Sequence, residues 1–310
     1  MLSRGGFFSC LGVVFAALTG LFVPTAAEAR LRVVATTPDL GALVEAVGGE
    51  QVEVTVLAAP SEDPHYVDPR PSFLVALSRA DALVVNGLEL EVGWLPPLLV
   101  NARNPNIQAG AAGHIDASTL FSRRLGVLTG KVDRAMGDIH PGGNPHYSTS
   151  PFVLAEIAPR LAERLGRLRP ADREVFAKRG LAVGEALNRL ASGWQKKVAS
   201  LPAAKRRVVV YHESYAYLTE WLGLEVVAAI ENKPGIKPSP AHVGNVLKSM
   251  RASSTRLILQ EEWHADASSK TLARLAGGEV LALPGGARKG QSLEKHLDGL
   301  AQRIHDALAR

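Results

Sequence analysis

The chain has 310 residues, 46% of them hydrophobic, which is enough apolar side chain for one or two domains of ordinary size, each with its own core. Thirty-five Lys and Arg against 30 Asp and Glu leave a formal charge of +5, and aromatics make up only 5%. The basic pairs Arg123-Arg124, Lys196-Lys197 and Arg206-Arg207 are dispersed and lack interleaved aromatics, so nucleic-acid binding is excluded as a class.

In chain order, the first 29 residues read as an address. Arg4 precedes an apolar run from Phe7 to Val23, and Ala27-Glu28-Ala29 has the small-x-small pattern that a signal peptidase cuts. The run is short for a bilayer span and ends on that site, so a cleaved signal peptide is expected, with a soluble periplasmic chain from Arg30. Cys10, the one cysteine, lies early in this segment, which argues against a lipid-anchored cysteine.

A first block, residues 30–170, is expected to be an α/β lobe. Its strands fall at 31–37, 52–59 and 81–86, with helices near 40–47 and 73–79. From Pro170 a helical pattern runs to Leu201, with Phe176, Val183, Leu187, Leu190, Trp194 and Val198 at helix spacing. Residues 171–201 are therefore expected to form one stiff helix joining two lobes. The second lobe, 202–310, repeats the alternation: strands at 207–212, 224–230, 256–261 and 279–283, helices near 215–221, 240–251, 268–276 and 293–309. Strands alternating with helices imply two mostly parallel sheets covered by helices, an α/β class.

No dense catalytic motif is present: HExxH, CxxC, GxSxG, the P-loop and the dinucleotide glycine pattern are all missing. A repeated tripeptide stands out instead. Asp63-Pro64-His65-Tyr66 and Asn144-Pro145-His146-Tyr147 each place a histidine behind a proline of fixed φ in a turn-rich loop. A third histidine, His212, ends the apolar run Val208-Val209-Val210-Tyr211, at the carboxyl end of a strand, where open α/β sheets bind ligands. Taken singly, a loop histidine is usually solvated and a strand-end one a satisfied core group. Together, three imidazoles with an open fourth position suit zinc.

These segments resemble a known family, the periplasmic zinc- and manganese-type metal receptors of ABC importers whose lobes are joined by a rigid helix. The resemblance covers the whole mature chain. It rests on Val34 to Pro38, Asp63 to Pro69, Ala80 to Gly87, Gly137 to His146, Tyr211-His212-Glu213 and Lys233 to Pro240. It implies a receptor rather than an enzyme, with His65, His146 and His212 as ligands of a transported Zn2+ ion. It also implies a membrane permease as partner, room for a periplasmic metallochaperone, and a monomer.

An imidazole at 212, where manganese-type members carry a carboxylate, favours zinc. The family's late aspartate has no counterpart in Leu283-Pro284-Gly285-Gly286, so the fourth ligand is open between Glu261, His140 and water, with Glu261 put first. Asp68 and Asp138 are expected to orient imidazoles. Glu89 and Glu91 are read as a solvated rim, and Trp94 with Pro96-Pro97 as packing. His114, His242, His296 and His305 are read as solvated or helix-surface residues, and His264 stays undecided. The rival readings are a zinc hydrolase, with Glu261 or Glu213 as general base, and an adhesin or a receptor for manganese or another divalent metal.

Overall fold

The structure, a computed structural model, describes residues 1–2, 29–128, 139–233, 235–264 and 267–310; most of the expected leader, and Asp138, lie outside the described residues. In the first half, β1 (Leu31–Ala35), β2 (Val52–Val56), β3 (Ala82–Val85) and β4 (His114–Asp116) form a parallel sheet in the order β2-β1-β3-β4. In the second half, β5 (Arg207–Val210), β6 (Glu225–Ala229), β7 (Leu257–Glu261) and β8 (Glu279–Leu283) repeat it as β6-β5-β7-β8.

The central strands are short β-branched runs with helices on both faces. Val33 and Ala35 of β1 face a core shared with α1 (Pro38–Gly48) and α4 (Pro151–Leu168), while Val34 and Leu83 face α2 (Pro71–Arg79) and α3 (Leu95–Ala102). In the second sheet Val208 and Val210 face α6 (Ala216–Leu222) and α9 (Leu293–Ala309), and Val209 and Ile258 face α7 (Pro240–Ala252) and α8 (Ala267–Ala276). A residue's parity along the strand decides its face, as a period of two requires.

Between the sheets runs α5 (Arg173–Ala199), 27 residues and so about 40 Å long, after a single 3-10 turn at Pro170–Asp172. It does not run alone: α4 packs along it, and Phe176, Leu187, Trp194 and Val198 bury their side chains in a core continuous with both sheets. Trp194 Nε1 donates to Asp298 Oδ1 (2.7 Å) and Trp221 Nε1 to the Ala191 carbonyl (3.0 Å), fastening α5 to α9 and α6.

In each sheet the chain leaves the central strand toward one neighbour and returns on the other side. The loops after β1 and β3, and those after β5 and β7, therefore diverge at two switch points, where a crevice opens at the strand carboxyl ends. One pocket there is lined by both halves, with Asn86, Pro145 and His146 from the first and Ser214 and Glu261 from the second.

Candidate metal centre

Three loops bring one imidazole each to the space between the switch points. In the loop after β2, the backbone N of His65 donates to Asp63 Oδ1 (3.0 Å), and its Nδ1 lies 2.7 Å from the same oxygen. In the loop before α4, the backbone N of His146 donates to Asn144 Oδ1 (2.9 Å). The repeated Asx-Pro-His string is thus one local device used twice. The Asx oxygen caps the amide two residues on, the proline fixes φ between them, and the imidazole is aimed. His212 follows β5 in extended backbone, its Nδ1 2.6 Å from Glu231 Oε2 at the end of the neighbouring β6.

Ring centroids stand 5.0 Å (His65–His146), 5.3 Å (His146–His212) and 5.7 Å (His65–His212) apart, and one ring nitrogen of each lies within 4.8 Å of the other two. Because Nδ1 of His65 and of His212 each faces a carboxylate, the N–H sits there and the Nε2 lone pair is left for the crevice. His146 Nε2 is buried with no hydrogen-bond partner. Burial, followed by the neighbouring imidazoles His65, His212 and His140, holds its pKa well below the ordinary value, so the ring is neutral and its lone pair exposed to the others. Leaving such a buried atom unpaired costs about 1–3 kcal/mol, and a cation set among the three rings would satisfy it. Burial pushes the Asp63 carboxyl up, but the hydrogen bonds and charge of His65 outweigh it and hold the carboxyl below its usual range.

Glu261 lies at the end of β7 and lines the same pocket as the three histidines, yet it is not one of the mutually close group. It accepts the Ser214 hydroxyl, and its second oxygen is 3.4 Å from His264 Nε2. Burial raises its carboxyl to about 8. His264, undecided from sequence, stacks on Tyr211 with centroids 4.3 Å apart and stands 6.3 Å from the His212 ring. His140 reaches the group through His65, its Nε2 3.3 Å from His65 Nε2.

Several sequence expectations are corrected. Asp68 is exposed; the imidazoles are oriented instead by Asp63, two residues from His65, and by Glu231, which local reading could not pair because it reaches His212 only across a parallel strand pair. Glu91 is no rim residue: 5% exposed, it accepts the Thr36 hydroxyl (2.6 Å) and the amides of Asn86 (2.6 Å) and Gly87 (3.1 Å). Asn86 in turn donates to the Pro145 carbonyl (2.8 Å) and accepts the Tyr147 hydroxyl (2.6 Å), so this buried carboxylate holds the switch-point loop that flanks His146. His296 is buried rather than solvated, 3.7 Å from Asp39 Oδ1. Trp94 packs as expected, donating from Nε1 to the Pro64 carbonyl beside His65 (2.9 Å). Glu89 is exposed, and His114, His242 and His305 are half-buried.

Fold and crevice together define a two-lobed substrate-binding receptor. A profile described as "ZnuA: Zinc-uptake complex component A periplasmic" matches residues 33–307, and the chain belongs to that family, whose members are receptors of ABC transporters rather than enzymes. Among its relatives, the "Metal ABC transporter substrate-binding lipoprotein ScbA" of Streptococcus cristatus is 21% identical over 250 residues, 80% of this chain and 77% of that one. The "Manganese ABC transporter substrate-binding lipoprotein PsaA" of Streptococcus pneumoniae serotype 4 is 21% identical, covering 81% and 78%.

Of solved structures, a ZnuA deletion mutant with zinc bound superposes with a TM-score of 0.74 at 25% identity, over 90% of this chain and 98% of that one. The receptor FpvC of Pseudomonas aeruginosa in complex with Mn2+ gives 0.75 at 23% identity, over 91% and 99%, and shares the fold.

Proposed function

We propose that this chain captures one divalent transition-metal ion, Zn2+ by preference, between its two lobes through His65, His146 and His212, and delivers it to the membrane permease of an ABC importer. The lobes span 30–170 and 202–310, with 171–201 as the connecting segment. The observation that carries the reading is the convergence of three imidazoles, two with Nδ1 tied to a carboxylate and the third with a buried, unpartnered Nε2. Nitrogen donors suit zinc better than the harder manganese ion, which prefers carboxylate and water oxygens. That chemistry favours zinc even though named relatives include manganese receptors.

The protein acts by binding alone, as a soluble monomer in the periplasm once the leader is removed. No helix among the described residues is long and apolar enough to cross a membrane. Competition titrations against a chromophoric chelator test the reading. The chain should bind one zinc, more tightly than manganese, and His146→Ala or His212→Ala should weaken zinc by about a hundredfold or more, since even the outer partners of a ligand are worth about 10–100-fold. Unchanged zinc affinity in both variants refutes the site.

A further inference from the structure

Three imidazoles leave a tetrahedral ion one ligand short, and two side chains among the described residues stand near the place: Glu261, from the second half, and His140, from the loop preceding His146. Their surroundings differ. Glu261 stands outside the mutually close group, one oxygen accepting the Ser214 hydroxyl and the other buried without a hydrogen bond, 3.4 Å from His264 Nε2. His140 is held the way a ligand is held. Its Nδ1 stands 2.8 Å from the Leu88 carbonyl, which takes the N–H and directs the Nε2 lone pair the other way, toward His65.

Leu88 is itself unusual. It and Glu89 follow Gly87 with φ of 53° and 64°, two successive non-glycine residues in the left-handed region. Such backbone persists where the surroundings impose it, commonly beside a binding site. Here it turns the Leu88 carbonyl toward the His140 ring. The loop that carries His140 is tied down on its other side, where the Gly143 amide donates to the His140 carbonyl (3.0 Å) and the Asn144 amide to the Leu125 carbonyl (2.7 Å).

The distance is the telling quantity. Two nitrogens each about 2.0–2.1 Å from one tetrahedral zinc stand about 3.3–3.4 Å apart. His140 Nε2 and His65 Nε2 are 3.3 Å apart. We propose, building on the metal-capture reading above, that His140 is the fourth ligand, making an all-imidazole tetrahedral site from which Glu261 is excluded. His140 lies outside the mutually close set of three and lines the opening where His146 and His212 meet solvent, so it is the last ligand to close on the ion. Charge agrees: four neutral imidazoles backed by the Asp63 and Glu231 carboxylates place two negative charges around a dication. With no oxygen in the shell, the substrate class is the nitrogen-preferring divalent ions, zinc, nickel and cobalt, and manganese is disfavoured.

The zinc-edge X-ray absorption spectrum of the full zinc-loaded chain tests this on the unaltered protein. It should show four nitrogens in one shell with outer scattering from four imidazole rings. Three rings with a short oxygen overturns the proposal. In parallel, His140→Ala should lower zinc affinity by about a hundredfold and narrow the preference for zinc over manganese, while Glu261→Gln should change it by less than about threefold. The reverse ranking overturns the assignment of His140 while leaving capture by His65, His146 and His212 standing. A wild-type chain that holds no divalent ion overturns both.

Discussion

His65 and His212 are each held at Nδ1 by a carboxylate, and the acids around the cluster divide into those that give that grip and those that do not. Asp63 and Glu231 belong to the first group. Glu261 belongs to the second, and it leaves a measurable trace. Burial raises its carboxyl from 4.5 to about 8, so between those values the folded metal-free chain holds a proton that the unfolded chain has released. Stability then falls as pH rises across that window, because the slope of unfolding free energy with pH takes the sign of the protons bound by the unfolded state minus those bound by the folded state. The metal-free chain should lose melting temperature from pH 5 to pH 9, and Glu261→Gln should flatten the decline; parallel pH profiles in the two proteins would show that Glu261 is not the source.

At this scale the sequence was partly readable. His65, His146 and His212 announce themselves through a repeated Asx-Pro-His string and a strand end. Glu231 and Glu91 do not, because what makes them matter is a neighbour 19 residues away across parallel strands for one and 55 residues away for the other.

Among the elements, the strands and most helices follow from β-branched runs and helical periodicity, with ends within two or three residues of those expected. β8 and α9 coincide with expectation. Two elements were missed for physical reasons. β4 has only three residues, too few to show alternation, and α3 opens with Pro96-Pro97, which reads as a break although the first helical turn has no use for those N–H groups.

The closeness of the α4–α5 pairing was equally hidden, because it depends on small residues set among the apolar ones. A Cβ at Gly180 would lie 2.6 Å from Ala162 Cβ and 2.9 Å from the Ala158 carbonyl oxygen, and one at Gly184 would lie 2.9 Å from the Ala155 carbonyl oxygen. The two glycines, one turn apart, let the helices touch backbone to backbone. Gly180→Val should therefore destabilise the fold by about 1–3 kcal/mol through overpacking, read from urea unfolding. A change under about 0.5 kcal/mol would mean the helices can separate at little cost.

Over the whole molecule, two sheets share one core through α5, and polar contacts close the remaining seam. Asp39, in the first turn of α1, accepts the Ala287 amide (2.8 Å) and the Ser148 hydroxyl (3.1 Å) and lies 3.7 Å from His296 Nε2 on α9. Asn144 Nδ2 donates to the Glu213 carbonyl (2.8 Å) one residue beyond His212. Neither bridge was readable from sequence, since Asp39 and Ala287 are 248 residues apart.

Removing the Asp39 carboxylate leaves a buried amide and a hydroxyl without their acceptor. Asp39→Ala should lower the stability of the metal-free chain by about 1–3 kcal/mol in a thermal melt. A variant as stable as wild type would mean that the Asp39 bridge adds nothing to the hold between the lobes.

The claim on which the account depends is that a metal ion sits where the imidazoles of the two halves meet. Crystals of the zinc-loaded chain, measured at the zinc absorption edge, locate that ion directly. The account predicts one anomalous peak per chain, within about 2.0–2.1 Å of a ring nitrogen of each of His65, His146 and His212. A peak elsewhere on the molecule, or none between those three rings, would contradict it.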